Sequence, residues 1–161
     1  MNTPESITVS LEWAKRLQDA GWHQGWTGVG TINSFTDKPE SMKTDIMGTY
    51  FKWFDVRSDY SKGEIIPQVE SIYCNYPMIA DAPTAEEILQ KLPRRLIHEG
   101  EPEGKWLCIN SHPDQKGWRI AYLQGQYSAW RNVIEEKSLA NAAAAMWCYL
   151  KENNLLPKDN E

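Results

Sequence analysis

Cys108 and His112 are the two side chains whose types and spacing come closest to nucleophilic chemistry, because an imidazole beside a thiol can draw off its proton. Four residues apart at the end of an apolar run, they can project to one face. A thiol nucleophile also needs a group that orients the base, and none is legible nearby, so the simpler reading is that Cys108 alternates with Trp106 as a core thiol. The same pair is two ligands short of a closed tetrahedral zinc shell, and no CxxC or HxxxH spacing occurs elsewhere, so no metal is expected. His23 and His98 stand alone and read as surface histidines.

Phosphate chemistry is suggested by Gly25, Gly28 and Gly30 and then denied by context. The run follows a helix instead of a strand and no Lys-Ser or Lys-Thr follows it, so these are turn glycines and no nucleotide cofactor is implied. Asp37, Asp45, Asp55, Asp59 and Glu64 are numerous enough for acid–base work, but nothing brings two of them to a common pocket and solvated loop acids are the default. Between Arg94 and Arg131, Lys105, Lys116, Arg119 and Arg131 interleave with Trp106, Trp118, Tyr122, Tyr127 and Trp130, the ingredients of a single-strand stacking platform. Six basic residues there face Glu99, Glu101, Glu103 and Asp114, a surplus of two, which is too small for a basic stripe. Nucleic acid is therefore disfavoured as a partner, and a half-buried antiparallel hairpin is the simpler account.

The elements that must position these residues follow from periodicity. Leu11, Ala14 and Leu17 form one stripe of a helix over Ser10–Ala20, with Ser10 as N-cap and Gly21 as its stop. Thr84 with Glu87 makes a capping box for a helix that Pro93 ends, with Ile88, Leu89 and Leu92 on its apolar face. Ser138 caps the last helix, whose stripe is Leu139, Ala142, Ala143, Met146 and Leu150. Strands are predicted at Met47–Val56, Ile65–Tyr73, Lys105–Asn110 and Trp118–Gln124, the first two joined by a turn over Ser58–Gly63 and the second pair by Ser111–Gly117. Pro67 confines its strand to an edge or its own start. The expected fold is α+β: an antiparallel sheet of four or more strands with about three helices packed mainly on one face, in a single domain spanning residues 1–161.

Composition bounds the partners. A chain of 161 residues with a net charge of −5 suits one hydrophobic core and lacks the basic surface of a general nucleic-acid binder. No stretch approaches the roughly 20 apolar residues of a membrane helix, and Met1–Ser10 has no basic region followed by an apolar core, so neither membrane insertion nor secretion is expected. Cys74, Cys108 and Cys148 are odd in number and widely spaced, which suits reduced thiols in a cytoplasm. Eight tryptophans are the strongest compositional anomaly, and tryptophan is favoured in cores and in binding hot spots alike.

Three blocks, VSLEWAKRLQDAGW, APTAEEILQKLP and SLANAAAAMWCYLKENNLL, resemble in that order a family of small uncharacterised phage and prophage proteins of bacteria. The family has no known activity, so the resemblance implies a coarse fold and a setting in the host cytoplasm, and no site residues. Gly25–Tyr73 lies outside it.

Two functions of different class are compatible with these residues. The favoured one is a non-enzymatic phage-encoded protein that binds a host or phage macromolecule in the cytoplasm; the alternative is a small hydrolase or transferase using Cys108 with His112 or a carboxylate pair. Binding residues are sought on the strand around Gly48–Val56, where Phe51 and Trp53 point one way and Tyr50, Phe54 and Val56 the other. Both faces are apolar. Either the loop Trp22–Lys43, with Trp22, Trp26 and Phe35, covers the second face, or Tyr50 and Phe54 are anchors for a partner, a two-fold homodimer being the simplest.

Overall fold

A computed structural model describes residues 4–22, 51–55, 65–69, 78–97, 100, 103–112, 116–125 and 133–157. The fold is α+β and every strand pairing among the described residues is antiparallel. Where one domain is expected from length, backbone contacts divide the chain into two compact units, Met1–Thr84 and Ala85–Glu161, each with its own sheet.

In the first unit, α1 (Pro4–Ile7) leads into α2 (Leu11–Asp19). Ser10 caps α2 by accepting the Trp13 N–H at 3.4 Å, and Ala14 and Leu17 are buried as the stripe requires. The helix ends in a Schellman motif: Gly21, at φ +88°, donates its N–H to the Gln18 carbonyl, and Trp22 donates to that of Leu17. A side chain is strained at that φ, which is why glycine stops this helix. The sheet runs β2-β1-β3, from β1 (Phe51–Asp55), β2 (Ile65–Val69) and β3 (Met78–Asp81). Pro67 faces Trp53 from the outer strand β2, the edge position its missing N–H demands. Trp53 is buried and donates its indole N–H to the Val9 carbonyl at 3.2 Å, tying the sheet to the segment before α2. Val9 N–H to the Pro83 carbonyl and the Lys52–Asp81 ion pair at 2.9 Å close the unit.

The second unit begins with α3 (Ala85–Lys91) and continues through β4 (Arg95–Leu96), β5 (Lys105–His112), β6 (Gly117–Leu123) and β7 (Ile134–Glu136) to α4 (Leu139–Glu152). Its sheet has the order β4-β5-β6-β7. Ser138 caps α4 through the Asn141 N–H at 3.1 Å. A second Schellman motif ends it, with Asn154 at φ +54° in the place where α2 uses glycine, donating to the Lys151 carbonyl while Leu155 donates to that of Leu150. Burial on α4 is wider than a stripe: every residue from Ala142 to Cys148 is buried, and so is Leu150. Four consecutive alanines let the helix lie close to α3, β6 and β7, its packing neighbours.

The four strands read from the sequence do not share one sheet. Those at Met47–Val56 and Ile65–Tyr73 are represented by β1 and β2 and pair with the unexpected β3; those at Lys105–Asn110 and Trp118–Gln124 are β5 and β6 and pair with the unexpected β4 and β7. The additional strands are two to four residues long and carry no alternation of their own; their neighbours recruit them.

Candidate functional site

Partners across an antiparallel ladder share a face, so the register of the second sheet sorts its side chains. Arg95, Trp106 and Leu123 lie on one face with Cys108, Ala121, Asn110, Arg119 and Glu135. Leu96, Leu107, Tyr122, Ile109, Ile120 and Ile134 lie on the other. Both sets hold buried residues, Ala121 and Leu123 in the first and Leu96 and Ile120 in the second, where the Tyr122 hydroxyl donates to the Pro93 carbonyl at 2.6 Å. Burial pushes that phenol well above its ordinary pKa.

On the first face Trp106 is 53% exposed. The Arg95 guanidinium lies over it, 5.2 Å from the ring centroid, a cation–π geometry. Arg95 is itself held: Nε donates to the Glu103 carbonyl at 3.0 Å and Nη2 donates to the same oxygen. This clasp depends on Gly104, at φ +62°, because a Cβ there would stand 2.7 Å from the Leu96 carbonyl oxygen and 2.8 Å from Arg95 Nε. Further along the face, Arg119 and Glu135 pair at 2.7 Å. Ile97, just beyond Arg95, is 68% exposed. The site thus joins an exposed aromatic and an oriented guanidinium, residue types enriched in interface anchors.

Cys108 and His112 both belong to β5, with backbone partners Ala121 and Gly117. At about 3.3 Å of rise per residue their Cα atoms are about 13 Å apart along the strand. Cys108 is half-buried, with Sγ 3.5 Å from the Trp106 carbonyl, and Trp106 is exposed, so the two do not form the core pair that their alternation suggests. No group of three or more His, Cys, Asp or Glu side chains is placed to hold a metal among the described residues.

An open groove of about 630 Å³ runs along α3 to the start of α4, lined by Leu89, Leu92 and Leu139 with Glu86 and Arg94. Trp22 is buried, whereas the rest of the proposed lid, the glycines 25, 28 and 30, and Tyr50 lie outside the described residues. Phe54 is described in backbone only, as the β1 residue opposite Ile66. His23, His98, Asp37, Asp45, Asp59, Glu64, Tyr127, Trp130 and Arg131 also fall outside. The exposed Trp106 had a partial signal in the sequence, an aromatic on a strand rich in polar residues, but the arginine that orients it comes from another strand. Comparison with protein-family models, with curated proteins and with solved structures found no match to this chain.

Proposed function

We propose that this chain is a non-enzymatic binding protein, encoded by a phage or prophage, that engages a host or phage macromolecule in the bacterial cytoplasm. The observation that supports this reading is Trp106, half in solvent and held in place by Arg95. An exposed tryptophan leaves a large apolar surface in water, and fixing its orientation in advance lowers the ordering cost of binding. Arg95 spends its backbone-facing donors on Glu103, so its charge is presented in a fixed place beside the ring. A partner that inserts an apolar group against Trp106 fits this surface.

The test is affinity capture from bacterial cells expressing the tagged chain, repeated with Trp106→Ala and Arg95→Ala. A species retained by the wild type is expected to be lost by about tenfold or more with Trp106→Ala, as for a hot-spot residue, and to a lesser degree with Arg95→Ala. Equal retention by all three chains rejects this surface as the binding site.

A further inference from the structure

We propose that two copies of this chain pair through the free edge of β5, in a single antiparallel register centred on Asn110. The argument begins from unequal strand lengths. β4 covers only two residues, Arg95 and Leu96, against Trp106 and Lys105, and one further bond, Leu107 N–H to the Arg94 carbonyl, extends the pairing. That bond sets the parity of the strand. Backbone groups alternate in direction, so residues 105, 107, 109 and 111 point toward the β4 side and the even-numbered residues toward β6. Beyond Leu107, therefore, the N–H and C=O groups of Ile109 and Ser111 point outward, and neither residue has a backbone partner on that side among the described residues.

This stretch is open to solvent in its side chains too: Ile109 is 41% exposed, and Asn110 and Ser111 are exposed beside it. Edge strands are ordinarily protected by a lysine, a proline, an inward charge or a covering element. The segment Cys108-Ile109-Asn110-Ser111-His112 has no lysine, arginine, proline or carboxylate. Two copies, each with a net charge of −5, can therefore bring these edges together without setting like charges opposite one another.

The register follows from the two outward residues. Two-fold antiparallel pairing satisfies both of them only when Ile109 of one copy faces Ser111 of the other, and the reverse, which exchanges four hydrogen bonds and places Asn110 on the axis. Centring on Ile109 would require Ser111 to pair with Leu107, whose N–H is already taken by Arg94. In the proposed register the two four-stranded sheets meet at β5, and Asn110 faces its own copy as a non-hydrogen-bonded pair, with Cα atoms about 4.5 Å apart.

Trp106 lies where β4 already pairs with β5, outside the stretch Ile109–Ser111, although Asn110 shares its sheet face. The experiment is sedimentation equilibrium of the full chain across a wide concentration range, under reducing conditions. The mass is expected to rise from monomer to dimer with concentration, and Ile109→Lys and Ser111→Pro are each expected to weaken the dimer by about tenfold or more. Ser111→Pro removes a donor that makes no bond to β6, so the β5–β6 ladder survives it, and circular dichroism checks that it does. Trp106→Ala is expected to leave the dimer unchanged. In a second measurement, Asn110→Cys exposed to oxidised glutathione should form a disulfide-linked dimer joined at position 110, the separation there being within disulfide range. A monomer at every concentration, or a dimer indifferent to both edge variants, overturns the proposal.

Discussion

Tyr122 shows how one side chain reports on the packing around it. Its hydroxyl donates to the Pro93 carbonyl across β5, and burial raises its pKa above the ordinary phenol value of about 10. Folding therefore favours the protonated phenol. Stability from this group is fully present below pH about 10 and is lost as pH climbs toward the higher pKa of the folded state. Tyr122→Phe is expected to cost about 1 kcal/mol at neutral pH through the lost hydrogen bond. Denaturant titrations of both chains should show that the wild-type advantage shrinks above pH 10; an advantage that stays constant into the alkaline range rules the assignment out. The chemistry-bearing residues were only partly legible at this scale. Cys108 and His112 were visible as a pair by spacing alone, and both fall on the eight-residue strand β5. The Arg95–Trp106 stack was hidden because its members are 11 positions apart and meet only through the β4–β5 pairing.

Among the elements, the helices were the easiest to read, and the reason is chemical punctuation. Ser10 and Ser138 accept the backbone donors that a cap must satisfy, and a left-handed residue follows both α2 and α4. Asn154 fills that place at the end of α4, since asparagine tolerates the left-handed region better than other non-glycine residues. Strand partners were not legible, because pairing is decided by distant segments and short strands have no pattern of their own. β3, β4 and β7 went unread for this reason, and so did the division of the long strands between two sheets. The last helix permits a quantitative statement. Met146 is 2% exposed and Leu150 is fully buried, so Met146→Ala and Leu150→Ala should each destabilise the protein by about 2–5 kcal/mol. Ser138→Ala should cost about 1 kcal/mol by comparison. Changes below half of these values in chemical denaturation would show that α4 is less tightly packed than it is drawn here.

For the molecule as a whole, net charge sets how copies meet. No helix among the described residues is long and apolar enough to cross a membrane, and the chain carries a net charge of −5 with an isoelectric point near 5.3. Repulsion between copies is thus present at neutral pH and fades as the pH approaches that value. Light scattering at fixed concentration is expected to show association increasing from pH 7 toward pH 5.3, and Ile109→Lys, which adds a positive charge to the bare edge, should resist it. Scattering that is flat across this range would mean that net charge does not govern association. The packing of α4 carries a consequence on a different timescale. Alanines walled in on all sides can neither grow without collision nor shrink without loss, so substitutions there are removed as fast as they arise. Between Ala142 and Leu150, Tyr149 is the exception, 40% exposed. As lineages carrying this chain diverge, their sequences should drift freely at position 149 and stand nearly still on either side of it, so that the buried surface of the helix is recorded in descent as a block of constancy with one gap.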